Sequence, residues 1–375
     1  MPIKIPKTLP AFEALSRERV FVITNDRAEH QDIRPLKVAI VNLMPTTIDT
    51  ETQLLRLLGN SPLQVDITFL RMGSHESKNA PPGHLEKFYI SADEIIAMNI
   101  RFDGLIITGA PVETLPFEDV DYWNELVQVI DYSSANVFSA MHICWGAQAG
   151  LYRRYNIPKV ALDKKLFGIY PHEVNEQYHA LFRGFDDEFL APQSRHTTID
   201  RNAVAAEPRL TIQSETDEAG VFIATARAGR EIYVTGHLEY DPLTLDREYR
   251  RDLAKGLLIE PPKNYYPDDD PSKTPVVRWR AHANLFFDNW LNYVYQGTPY
   301  NLEELNMDKM TLNVEGMSCD HCVKTVTGAL SALTGVADIV INLKEKTVSF
   351  GYDPAQASLE VIKSAITEAG YSINT

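Results

Sequence analysis

Between Lys37 and Cys144 the sequence alternates short apolar, β-branched runs with amphipathic stretches, and this alternation constrains the fold more than any other feature. Residues 37–44, 64–72, 103–108 and 136–144 read as strands. Residues 48–60 and 120–134 read as the helices between them, the first with Asp49 and Thr50 as capping candidates. Strand–helix alternation implies a three-layer α/β domain around a mostly parallel sheet. From Leu210 the strands become close-set: residues 210–215, 220–227 and 230–236, with Ala228-Gly229 as the turn between the last two, extend the sheet antiparallel. Helices are expected over residues 245–257 and 281–296. The proline- and aspartate-rich segment between them, residues 261–275, is too polar for core, but Tyr265 and Tyr266 pin it to the body.

The pattern restarts at Met310: strand, helix, two strands, helix and a short strand fill about 66 residues, the βαββαβ order of a ferredoxin-like module. The expected domains are therefore residues 1–306 and 307–375, with the boundary near Asn306. The chain has 375 residues and only three cysteines, Cys144 alone and Cys319 with Cys322 close together, which excludes a disulfide framework. A net charge of −15, spread along the chain, disfavours nucleic acid and anionic lipid as partners; an anionic substrate would need its own local cationic or amide site. No run approaches the ~20 apolar residues of a membrane span and the N-terminus lacks a signal-peptide core, so the expected compartment is the cytoplasm.

Cys144 ends an apolar strand and is followed by Trp-Gly-Ala-Gln-Ala-Gly, small and helix-compatible residues that allow a sharp strand-to-helix turn. Such an elbow presents a side chain at the carboxyl edge of the sheet, and a helix N-terminus favours the thiolate. A buried, inert cysteine is the plainer alternative. Against it, residues 232–234 deliver Thr-Gly-His-Leu-Glu-Tyr, placing His237 and Glu239 two residues apart beyond a strand end, as a base and its orienting carboxylate. Thr108-Gly109-Ala110-Pro111 follows another strand. Its amides, with that of Trp145, are natural oxyanion-hole donors.

The order of glycine loop, cysteine elbow and His-x-Glu resembles the flavodoxin-like, class I glutamine amidotransferase-like fold. Nine collinear blocks bring it closer to the homoserine O-acyltransferases of methionine biosynthesis. They begin with Ile33-Arg-Pro-Leu-Lys-Val, Asn42-Leu-Met-Pro, Asn60-Ser-Pro-Leu-Gln-Val-Asp, Asp103-Gly-Leu-Ile-Ile-Thr-Gly-Ala-Pro and Cys144-Trp-Gly-Ala-Gln. Gly184-Phe-Asp-Asp, Ala191-Pro-Gln-Ser-Arg, Thr235-Gly-His-Leu-Glu-Tyr-Asp and Asn289-Trp-Leu-Asn-Tyr complete them, covering residues 1–300. The resemblance implies that Cys144 accepts an acyl group from acyl-CoA as a thioester, that His237 then deprotonates the homoserine hydroxyl, and that Glu239 orients His237. It implies substrate binding by Lys165, Ser194 and Arg251, a homodimer and no catalytic metal. Glu248, one helical turn before Arg251, is expected from that spacing to take the amino group. In the family a glycine in the Gly-Ala-Pro loop goes with succinyl-CoA and a glutamate with acetyl-CoA; Glu113 therefore implies acetyl-CoA as co-substrate. Familiar members carry a basic residue or pair after Leu-Met-Pro, where this chain has Thr46-Thr47, so its CoA phosphates need other groups. The alternatives are a succinyl donor, or a glutamine amidotransferase or γ-glutamyl hydrolase on the same fold. A chain that has lost catalysis and only binds copper is a third.

In the C-terminal module, Gly316-Met-Ser-Cys319-Asp-His-Cys322 puts two thiols at a loop-to-helix junction, as a metal clip or a redox pair. With the closing Glu368-Ala-Gly-Tyr371 it resembles the heavy-metal-associated domains of copper chaperones and copper-exporting ATPases. That implies Cu(I), ahead of Zn, on Cys319 and Cys322, and contact with a copper chaperone or transporter.

Overall fold

The computed structural model describes residues 3–6, 8–17, 22–23, 34–74, 80–302, 305, 307–317, 319–354 and 356–374. Two compact units divide the chain between Thr298 and Pro299. Asn306, the expected boundary, lies outside the described residues, as does Ile33.

In the first unit, strands β1 (Ile3–Lys4), β2 (Val22–Ile23), β3 (Leu36–Val41), β4 (Val65–Arg71), β5 (Tyr89–Ser91), β6 (Phe102–Ile107) and β7 (Val137–Ile143) form the parallel part of one sheet. Strands β8 (Lys159–Val174), β9 (Glu188–Ile199), β10 (Leu210–Thr216) and β11 (Gly220–Ala226) form the antiparallel part. Strand β12 (Glu231–Val234) joins the two, parallel to β7 and antiparallel to β11. The order is β2-β1-β4-β3-β6-β7-β12-β11-β10-β8-β9, with β5 beside β4.

Successive strand side chains point to opposite faces, so a strand buried on both sides must feed two cores. Along β3, Leu36, Val38 and Ile40 enter one core and Ala39 and Val41 the other. Helices Thr47–Leu58 and Arg280–Gly297 cover the first core with Leu54, Leu58, Phe286 and Trp290. Helices Trp123–Asn136 and Trp145–Tyr155 cover the second with Leu126, Ile130, Trp145 and Ala149. Burial of each such side chain stabilises by roughly 1.5–3 kcal/mol. The result is the expected three-layer α/β architecture around a mixed sheet.

Three details differ from expectation. Neither Asp49 nor Thr50 caps the first of these helices: Thr46 occupies the cap position, Asp49 lies in the first turn, and the Thr50 hydroxyl donates back to the Thr46 carbonyl at 3.1 Å. The turn between β11 and β12 takes in Arg227 as well as Ala228 and Gly229, all at positive φ. The long β8–β9 hairpin was not expected. The outer half of β8 is charged and largely exposed, prolines 171 and 192 sit inside the paired region, and the inward positions of β9 include Gln193, Arg195 and Thr197, so neither strand shows an apolar–polar alternation in its sequence. Tyr265 and Tyr266 are buried, as anticipated for the tethered segment.

The second unit contains β13 (Asp308–Glu315), helix Asp320–Ser331, β14 (Val336–Asn342), β15 (Thr347–Tyr352), helix Leu359–Glu368 and β16 (Ser372–Asn374). Its antiparallel sheet runs β14-β15-β13-β16, the ferredoxin-like arrangement. Val314, Val326, Leu330, Val348, Ile362 and Ile366 give it a fully buried core of its own. Among the described residues, no helix is long and apolar enough to cross a membrane.

Candidate functional site

Strands β6, β7 and β12 are neighbours and run parallel, so the residues just past their carboxyl ends converge at one place. Those residues are Thr108-Gly109, Cys144 and the segment from Thr235 to Tyr240. The Cys144 amide donates to the Val234 carbonyl at 2.7 Å, which fixes the cysteine against β12. Its backbone sits at φ 53° and ψ −115°, outside the regions that L residues ordinarily occupy, and helix Trp145–Tyr155 begins at the next residue. Two glycines permit this approach. A Cβ at Gly146 would lie 2.6 Å from the Thr108 carbonyl oxygen, and one at Gly109 would lie 3.2 Å from Cys144 Cβ and 3.8 Å from its Sγ. The Gly109 backbone thus lies against the thiol, beside the Trp145 amide, which as the first helical N–H has no partner within its helix.

The Thr235-Gly236 turn is held on both sides. Thr235 Oγ1 donates to the Val221 carbonyl at 2.7 Å, and the His237 amide donates to the Pro192 carbonyl at 3.0 Å. His237 Nδ1 lies 2.6 Å from Glu239 Oε1, and the other side of the ring faces Cys144. Burial alone would drive the imidazolium pKa down. The opposing charges and hydrogen bonds of Cys144 and Glu239 together outweigh it and hold His237 well above the ordinary histidine value.

Tyr240, a residue that sequence reasoning did not single out, stacks on His237 with ring centroids 4.0 Å apart and donates to Glu248 Oε1 at 2.9 Å. Glu248, on helix Thr244–Ala254, gathers the other expected residues. Its Oε2 accepts from Ser194 Oγ at 2.5 Å and from Lys165 Nζ at 3.3 Å. Lys165 also reaches Asp252 at 3.4 Å and sits over the Phe167 ring, and Arg251 Nε donates to Asp252 at 2.7 Å. Residues 165 and 194 come from the unanticipated hairpin, where Phe167 pairs with Ser194. A cavity of about 350 Å³ carries Gly109 and His237 on its wall together with Glu248 and Arg251. His237 and Glu239 therefore open onto the same space as Glu248 and Arg251.

Glu113 lies outside that wall, its carboxylate accepting from the His196 amide at 2.9 Å. Arg195, also not anticipated as functional, is wholly buried beneath the site. It donates to Gln193 Oε1, to the Thr235 carbonyl at 3.2 Å and to the Ala219 carbonyl at 2.6 Å. Burial lowers its pKa to about 10, while the charges of Cys144 and Glu113 act to raise it. Its place inside Ala191-Pro-Gln-Ser-Arg was the one available signal.

In the second unit, Cys319 Sγ and Cys322 Sγ lie 3.6 Å apart, close enough to converge on one ion and too far to be bonded to each other. Cys319 is exposed and Met317 is packed into the core behind the loop. A hydrogen bond from Tyr371 to Cys322 raises the phenol pKa. Two soft sulfurs at an open loop fit Cu(I). Among the described residues, no group of three or more His, Cys, Asp or Glu side chains could hold a metal ion.

The homoserine O-succinyltransferase family model matches residues 2–300, and the heavy-metal-associated domain model matches residues 311–372. A homoserine O-acetyltransferase of Bacteroides fragilis is 56% identical over 306 residues, spanning 81% of this chain and 100% of the relative. Its counterpart in Acetivibrio thermocellus is 58% identical over the same shares. Among solved structures, the CopZ metallochaperone aligns with 18% of this chain and 100% of its own length, at 39% identity and a TM-score of 0.18.

Proposed function

The chain belongs to the homoserine O-succinyltransferase family, and from that premise we propose that it is a homoserine O-acetyltransferase with an appended metal-binding domain. The observation that carries this reading is a single cavity lined by Gly109, His237 and Glu239 together with Glu248 and Arg251; Gly109 and His237 lie against Cys144, and Glu248 holds Lys165 and Ser194.

In the first half-reaction the Cys144 thiolate attacks the acetyl carbonyl of acetyl-CoA. The backbone amides of Gly109 and Trp145 stabilise the oxyanion, and His237 gives its proton to the departing CoA sulfur. The product is an uncharged thioester, so His237 loses one of the two negative partners that raised its pKa, keeping Glu239. It thereby becomes a neutral base when the second substrate arrives. In the second half-reaction His237 takes the hydroxyl proton of homoserine, the alkoxide attacks the thioester, and Cys144 leaves as the thiolate, restoring the ion pair. Arg251 offers a guanidinium to the homoserine carboxylate, and Glu248, already oriented by Tyr240, Ser194 and Lys165, receives its ammonium.

Glu113 sets the donor by charge: anchored by the His196 amide beyond the cavity wall, its carboxylate repels the extra carboxylate of a succinyl group. In the second domain Cys319 and Cys322 bind Cu(I) as exchangeable cargo, and contact with a copper chaperone or transporter and a homodimeric assembly are inferred from the resemblance. The test is CoA release from acetyl-CoA that depends on homoserine. Faster release from succinyl-CoA would contradict the donor assignment, and glutamine hydrolysis without homoserine-dependent CoA release would contradict the reaction.

A further inference from the structure

Acetyl-CoA carries its negative charge far from the reacting carbonyl, on a pyrophosphate and a ribose phosphate, and a chain with a net charge of −15 must meet it with a local cationic site. Thr46 and Thr47 supply no charge. Beside the catalytic cavity lies a larger one of about 650 Å³, and the two share Gln53, Glu239, Tyr240 and Arg247 on their walls. Along that shared wall Gln53 Nε2 donates to Thr244 Oγ1 at 3.0 Å.

The larger cavity is mixed in character: Leu57, Leu238, Val277 and Trp279 supply apolar lining, Arg56, Arg247 and Arg280 supply three cations, and Glu239 and Asp241 two carboxylates. Two of these arginines share one carboxylate: Arg56 lies 2.5 Å and Arg247 4.0 Å from the two oxygens of Asp241. Arg247 also reaches Asp49 at 3.9 Å, an exposed and long contact. Arg280 is exposed and opens the helix Arg280–Gly297, whose first turn adds the positive end of an 18-residue helix to the same cavity. A cavity that combines apolar side chains with three arginines against two carboxylates, adjoining the catalytic cavity, matches a ligand with an uncharged arm and a polyphosphate end.

We propose that this cavity is the docking site for the phosphate-bearing end of the acyl donor, with Arg247 and Arg280 as the principal phosphate contacts and Arg56 supporting them. The uncharged arm then crosses the shared wall to bring the thioester to Cys144. The inference rests on the acyl-CoA reading and adds where the donor's charge is held.

The experiment compares acetylation of Cys144 by acetyl-CoA and by acetyl-pantetheine, which has the same reacting end and no phosphates beyond it, in the full-length chain without homoserine. The double variant Arg247→Glu/Arg280→Glu is expected to lower the preference for acetyl-CoA over acetyl-pantetheine at least about tenfold, the loss of one or two charge-assisted contacts. The substitution Arg201→Ala, at a surface ion pair with Glu215, serves as control and leaves the preference where it was. A preference unchanged within about twofold in the double variant overturns the proposal. Should that variant fail to fold, the wild-type preference measured against rising salt replaces it. It must fall as phosphate contacts are screened, and a salt-independent preference overturns the proposal equally. A wild-type chain that transfers acetyl from neither donor overturns the acyl-CoA reading as well, whereas transfer with an unchanged preference removes the phosphate site alone.

Discussion

At the scale of single residues the proposed catalytic assignment rests on charge. His237 is held above its ordinary pKa by Cys144 and Glu239, and acetylation would neutralise the first of them, so in the proposed mechanism one imidazole serves as acid in the first half-reaction and base in the second. Cys144→Ala is expected to reduce homoserine-dependent CoA release by about a thousandfold or more, since the covalent route vanishes with the sulfur. Steady-state kinetics check this, and residual turnover near the wild-type rate would remove the nucleophile assignment. Glu113→Gly is expected to move the donor preference toward succinyl-CoA by relieving a like-charge contact, read as the ratio of kcat/KM for the two donors. An unchanged ratio would mean that the carboxylate only anchors His196. Cys144, His237 and Glu239 were legible in the sequence because each sits at a strand end with a recognisable neighbour. Tyr240 and Arg195 were not: a tyrosine earns its role here by stacking on His237, and a buried arginine by reaching two carbonyls across the fold, neither of which leaves a spacing to read.

At the scale of elements, the elbow helix Trp145–Tyr155 must be fixed at both ends to hold a cysteine at positive φ. Its far end is tied to β12 by a buried carboxylate: Glu231 accepts from Arg154 at 2.9 Å, Tyr155 at 2.7 Å and Tyr233 at 2.9 Å. Removing that charge leaves Arg154 without its main partner in a half-dry setting. Glu231→Leu is therefore expected to cost about 3–5 kcal/mol of stability, measured by urea unfolding. A loss below about 1 kcal/mol would show that the network is replaceable by packing. The parallel strands β3, β4, β6, β7 and β12 were readable because burial on both faces forces continuous apolar runs, whereas β1, β2 and β5, of two or three residues each, were too short to read. The β8–β9 hairpin, which delivers Lys165 and Ser194, was hidden by its charges, its two internal prolines and a pairing whose register shifts between Ala161 and Leu166. Those two residues were named by resemblance, and only the hairpin explains why they stand side by side.

At the scale of the whole molecule, one chain holds two settings of sulfur, a buried cysteine proposed as acyl carrier in an α/β unit and an open pair of thiols in a ferredoxin-like one. The second unit was legible almost strand for strand because its core is local and self-contained. The first unit is also pH-sensitive through its interior. His142 and His172 are buried and pushed down to about 3, chiefly by loss of hydration and then by the nearby cations Arg154 and Arg195. Neutral when folded and able to bind protons once unfolded, each contributes stability that is full above about pH 6.5 and declines as the pH falls toward 3, at about 1 kcal/mol per pH unit. Urea midpoints should therefore drop between pH 7 and pH 5, and His172→Gln should flatten that slope; an identical slope would place the proton uptake elsewhere. The central claim is that Cys144 carries the acetyl group between two substrates. Intact-mass and peptide analysis after mixing the protein with acetyl-CoA alone tests it most directly. The account predicts one acetyl group on the peptide containing Cys144, discharged on adding homoserine, and an unmodified Cys144 in a chain that still turns over acetyl-CoA with homoserine would contradict it.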